Sequence, residues 1–238
     1  MTTDIWLIDL DRSATALFEL EAHTPRLSAD EITRVQNVRD IARQRSLHAA
    51  YIAQRVALEA MFGADLRGVP LPRDRHGRPH LPDGMTGSVS LAHSGPVVLI
   101  GVTRHARIGV DIETARVVRM DARRCAVIEG AASGLVCVPR TIEGDARFLQ
   151  AWVVLEALAK ADGRGIGHLL TQLGAVGGRG GRFDAADIMQ LEHGLHLSLL
   201  DVGRGRFAAV ACAECTPRVL NLPHTVEGLA ELLALSGD

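Results

Sequence analysis

The sequence predicts an α+β fold: a pseudo-twofold duplication of two similar helix-plus-antiparallel-sheet halves, residues 1–104 and 105–238, with the active site between them. Three observations predict it. A long helical run is followed by paired apolar strands, and the same order of helix, turn and strands returns in the second half. The 238 residues, 47% of them hydrophobic, suffice for one large core or two smaller ones.

In the first half, residues 4–10 alternate in polarity and read as an opening strand. Ser28, three residues before Glu31, starts a helix as its N-cap. Ala, Ile, Leu and Val then recur at helical spacing to about Phe62, and Gly63 is the stop. Residues 70–84 are loop-like. Residues 88–91 and 97–103 are strands joined by the turn His93-Ser94-Gly95-Pro96, and residues 108–112 form another. The second half has a helix over 145–161, a glycine-rich loop, and strands over 195–200 and 206–213. Such a duplication places a ligand cleft between the halves.

Composition excludes several classes. The formal net charge is −2 with no block of either sign, and aromatics are 3%, so neither counterion release nor base stacking supports nucleic-acid binding. No segment has the length and apolarity of a membrane span, and the N-terminus lacks a basic region followed by an apolar run, so a cytoplasmic protein without membrane contact is expected. The four cysteines form no secreted framework. Cys212 and Cys215 lack the second ligand pair that structural zinc requires. The most informative imbalance is 25 Arg against a single Lys, Lys160. An ammonium is a compact point charge and a guanidinium a wide planar fork, so the exceptional lysine suits a tight phosphate site.

Chemistry concentrates near the middle of the chain. In Gly109-Val110-Asp111-Ile112-Glu113 the acids alternate with apolar residues, so a strand projects Asp111 and Glu113 to one face, roughly 6–7 Å apart at the backbone. Two adjacent anions fit either a solvated edge or a hard cation such as Mg²⁺ between them. Glu156 and Lys160 lie i, i+4 on a helix whose other positions are nearly all apolar. They form either a surface pair or a third metal ligand with a phosphate-facing ammonium. The loop Gly163-Arg164-Gly165-Ile166-Gly167 lacks the strand-first order of a dinucleotide fold and the Gly-Lys-Ser/Thr of a P-loop. His93 and Ser94, at a strand end, are able to donate to phosphate.

Together these segments resemble the two-domain, Sfp-type 4′-phosphopantetheinyl transferases, whose signatures are a Gly-Val/Ile-Asp-Ile-Glu strand and a Trp-x-x-Lys-Glu-x-x-x-Lys helix. The likeness spans residues 28–167 and includes Gly77-Arg78-Pro79 and the turn at His93. It implies Mg²⁺ held by Asp111, Glu113 and Glu156 against the pyrophosphate of the co-substrate coenzyme A, with Lys160 on the same phosphates. It implies His93 and Ser94 beside the 3′-phosphate, and Arg45, Arg78 and, less directly, Arg34 on the nucleotide. Three departures stand out. Leu155 replaces the first lysine of the helix signature and Ala92 replaces a serine of the turn, which removes phosphate-facing groups. Residues 124–135 lack the family's aromatic residues.

The resemblance implies a monomeric enzyme that transfers 4′-phosphopantetheine from coenzyme A to a serine of an acyl or peptidyl carrier protein, in fatty acid, polyketide or nonribosomal peptide biosynthesis. Glu156 is the expected proton acceptor, with Lys160 as the second catalytic residue and Glu129 as an alternative base. Two competing expectations are a divergent coenzyme A- or carrier-binding member with little transfer, and a metal-dependent nuclease. The acidic net charge and the helical spacing of Lys160 after Glu156 disfavour the nuclease.

Overall fold

A computed structural model describes residues 3–105, 107–137, 142–176, 194–213 and 216–235. The fold is mixed α and β, with two sheets and seven α-helices among the described residues. β1 (Thr3–Asp9) leads directly into α1 (Leu10–His23), followed by α2 (Ala29–Gln36), α3 (Ile41–Phe62) and a short 3-10 turn at Ala64–Leu66. Next come β2 (Ser88–Ser94), β3 (Val97–Thr103), β4 (Ile108–Thr114), α4 (Ala122–Leu135), α5 (Gly144–Asp162) and α6 (Ile166–Gln172). β5 (His196–Leu200), β6 (Arg206–Cys212), β7 (Arg218–Asn221) and α7 (Val226–Ala234) complete the chain.

The first sheet has the order β2-β3-β1-β7 and the second β4-β6-β5. Strand alternation sorts their side chains into three apolar layers. Trp6 and Ile8 of β1 and Val98, Ile100 and Val102 of β3 pack under α1, α3 and α7. Ile5, Leu99, Ile108, Val110, Ile112 and Val210 form a layer between the two sheets. Ala209 and Ala211 face α4, α5 and α6. Among the described residues no helix is long and apolar enough to cross a membrane.

The single helix expected from Ser28 to Phe62 is two helices. Ser28 caps α2 in a full capping box with Glu31, as the sequence indicated. The break at residues 37–40 arises because Asp40 starts a new helix, its side chain accepting the Arg43 N–H at 2.7 Å. Arg34 and Arg45 therefore share no continuous helix face. α1, β7 and α7 escaped the sequence reading. A boundary at residues 104/105 does separate the two sheets, but the chain then returns: β7 pairs in parallel with β1, and Leu222 and Leu229 join the first core. β2 runs on through His93 and Ser94, which lie on the strand and leave only Gly95-Pro96 to turn.

Buried charge in the first unit is closed. Arg55, with its side chain 1% exposed, donates to Glu31 at 2.6 Å and to the carbonyls of Leu66 and Val69. Arg26 and Arg67 both bind Glu59. Every partner here is a counter-charge or a backbone acceptor, the condition under which a buried ion survives.

Candidate functional site

The site is built where α5 lies across β4. Gly109 makes that crossing: a Cβ there would overlap the carbonyl of Ala157 and the amide of Ala161. The close approach sets the last turns of α5 beside Asp111, two residues along the strand. Lys160 Nζ donates to Asp111 Oδ1 at 2.6 Å and to the Val110 carbonyl at 3.1 Å. Of the three donors of its ammonium, two are thus engaged on β4.

Glu113, on the same face of β4, accepts from Ser94 Oγ at 3.2 Å and from Arg116 Nη2 at 2.9 Å. Ser94 is a fastener between β2 and β4, since its Oγ also accepts the Thr114 N–H at 2.9 Å, as Ser90 Oγ accepts the Val110 N–H at 3.1 Å. The hydroxyl expected on a phosphate is occupied in holding the strand that carries the acids.

Glu156 completes the group, and its electrostatics record the company it keeps. Burial is the main cause that pushes its carboxyl up to about 7; Lys160 opposes the shift, and Asp111 and Glu113 add to it. Asp111 is also raised, again mainly by burial, against the pull of Lys160. Three carboxylates thus face two cations: Lys160 is bound to Asp111 and acts on Glu156, and Arg116 pairs with Glu113. Oxygen donors carrying surplus negative charge suit a hard dication. Among the described residues, however, no three His, Cys, Asp or Glu side chains already stand in metal-holding geometry, and Asp111 is instead bound to Lys160.

Next to this group lies a cleft of about 320 Å³ walled by α3, the loop at 73–79, β2 and the end of α5. Lys160, His93 and Arg78, three of the residues expected at the co-substrate, all line it. Burial, followed by the charges of Lys160 and Arg43, lowers the pKa of His93. Arg78 is a tie across the cleft: its Nη groups donate to the carbonyls of Lys160, at 2.5 Å, and Ile108, at 2.9 Å, while its Nε is buried without a protein partner. Its pKa is lowered by burial, which Asp74 counters.

Arg45 is elsewhere. Its guanidinium sits 4.8 Å over the Phe18 ring and lines a separate groove among α1, α2 and α3. Phase within α3 explains the difference, because Arg45 stands two residues before Leu47 and so on roughly the opposite face of the helix. Leu47, Tyr51 and Gln54 share the face that lines the cleft, and Arg43 acts on His93 from one turn before Leu47. The sequence reading missed Arg43, as well as Arg73, which lies over the Tyr51 ring at 5.2 Å. The density of Arg73, Arg75, His76 and Arg78 in one short loop was the available signal. Glu129 pairs with Arg147 at 3.1 Å on the α4–α5 side.

The two departures Leu155 and Ala92 are core residues. Leu155 is 1% exposed among α4, α5 and α6, and Ala92 is buried in the layer between the sheets. Neither removes a group from the cleft, contrary to the expectation from the motif. Cys212 is buried at the end of β6, and Cys215 lies outside the described residues. No family model matches the chain, and no curated protein sequence matches it.

Proposed function

We propose that the protein is a magnesium-dependent 4′-phosphopantetheinyl transferase that acts in the cytoplasm on coenzyme A and a carrier-protein serine, and that its two sheet-and-helix units are related by an ancestral duplication. The observation that carries this reading is the junction of two environments at Lys160: an acid-rich group on β4 and α5 on one side and a cation-lined cleft on the other.

Asp111, Glu113 and Glu156 would hold the Mg²⁺, which neutralises charge on the pyrophosphate during transfer. The chain's own residues do the rest. Lys160 supplies positive charge at the cleft wall, His93 stands there as a neutral imidazole because burial lowers its pKa, and Arg78 keeps that wall closed by tying the 73–79 loop to α5 and β4. Glu156 would take the serine proton, directly or through water, when the hydroxyl attacks the β-phosphate; its carboxyl, pushed up to about 7 in the metal-free protein, would be held ionised by a bound cation. Adenosine 3′,5′-bisphosphate then leaves. Because Leu155 and Ala92 are packing residues, their apolar character does not argue for a member that binds without transfer.

Incubation with a carrier protein, coenzyme A and Mg²⁺ tests the proposal. A mass gain of one phosphopantetheine on the carrier serine is the expected result, and coenzyme A binding without any gain on several carriers would replace transfer with a binding role. Asp111→Ala should lower the rate by about 10³-fold or more, the several kcal/mol expected of a metal ligand, with its circular dichroism spectrum unchanged. Retained turnover with normal Mg²⁺ dependence would sink the metal assignment.

A further inference from the structure

Lys160 is the chain's single lysine, and its ammonium already sits on the carboxylate assigned to the metal. We propose that Lys160 and the divalent cation exchange at Asp111: the ammonium is the resting occupant of the cation position, and entry of the metal releases it into the cleft. The proposal rests on the metal assignment above and adds an order to it.

The geometry carries the argument. Lys160 Nζ spans Asp111 Oδ1 and the Val110 carbonyl, two oxygens of the same strand, with a hydrogen bond of 2.6 Å to the carboxylate. A dication coordinating that carboxylate would stand within a few ångströms of the ammonium, and the two positive charges repel strongly in a partly buried site. The lysine side chain, 29% exposed, is free to move on one side, because the cleft opens beside it. The surroundings of the cleft decide what the moved charge does. Arg73 and Arg78 already line it, so the ammonium is best retained in the open cleft when an anion is there to receive it. Metal entry and phosphate binding are therefore linked through one side chain: the metal releases the ammonium, and an anion in the cleft receives it.

Having only one lysine makes the exchange directly observable. In protein labelled with [¹³C]lysine, the side chain of Lys160 gives the single lysine Cε signal. Titration with Mg²⁺ alone should shift that signal in step with metal binding measured by calorimetry, and Lys160→Met should bind Mg²⁺ roughly tenfold more tightly, the scale of a neighbouring like charge. Mg²⁺ binding that leaves the Cε signal unmoved, with equal affinity in wild type and Lys160→Met, overturns the exchange while the metal assignment stands. Failure of both proteins to bind Mg²⁺ overturns both. The wild-type titration decides the matter even if the variant does not fold.

Discussion

The two units of the molecule treat buried charge in opposite ways. In the first, Arg55 meets Glu31 and two carbonyls, and Glu59 receives both Arg26 and Arg67, so each ion is enclosed by partners. In the second, Asp111 takes Lys160 and Glu113 takes Arg116, and the carboxyl of Glu156 beside them is driven to about 7 because burial makes ionising it unfavourable. Charge placed for stability is neutralised within the fold. Charge left in excess is what the proposed metal site requires, a dication being the partner that three neighbouring carboxylates suit.

Removing one partner should separate the two regions by readout. Glu31→Ala leaves the Arg55 guanidinium buried without its counter-ion and undoes the capping box of α2. A loss of about 3–5 kcal/mol in urea unfolding is expected. A loss below about 1 kcal/mol would show that the closed network is not structural.

Leu155→Lys follows in size. If the family signature alone governed this position, a lysine would improve the site. Its burial against α4 and α6 predicts the reverse: an ammonium inserted into an apolar layer, costing about 2–4 kcal/mol in unfolding with no gain in transfer rate. A faster, equally stable variant would mean that the side chain reaches the cleft after all.

The excess charge also predicts a pH dependence. Glu156 has a folded pKa near 7 against an ordinary value of 4.5, so between those values the folded state keeps a proton that the unfolded chain has lost. Its contribution therefore favours folding below about pH 4.5, is lost as pH rises toward 7, and is level above that. After discounting for partial exposure, the metal-free wild type should lose roughly 2 kcal/mol relative to Glu156→Gln between pH 5 and pH 8. Parallel stability curves for the two proteins would remove the argument that Glu156 is a strained, uncompensated acid.

Legibility followed the range of the interaction. The Ser28 cap, β4 and α5 were readable because the signals are local: a capping pair, an alternation, a helical period with glycine after it. The acids and the lone lysine were found for the same reason. β7 was not readable, because a four-residue strand acquires its meaning only by pairing with β1 from the far end of the chain. Neither was the bond from Lys160 to Asp111, which depends on Gly109 letting α5 approach β4. Arg45 was expected at the nucleotide from the family motif alone; its phase within α3 turns it to Phe18, while Arg43, one turn before Leu47, acts on His93.

The smallest effect tests that last point. Arg45 packs over Phe18, whose ring also meets His48 edge-on at 5.1 Å, in a groove apart from the cleft. Arg45→Ala should therefore cost about 0.5–1 kcal/mol of stability through the lost cation–π contact and leave coenzyme A affinity within about twofold. Arg43→Ala should do the opposite, weakening coenzyme A by several-fold and raising the pKa of His93 in an NMR titration, since one of the charges that depress it is gone. If instead Arg45→Ala weakened the ligand and Arg43→Ala did not, the nucleotide cation would be Arg45, as the family motif implied, and the face of α3 assigned to the cleft would be the wrong one.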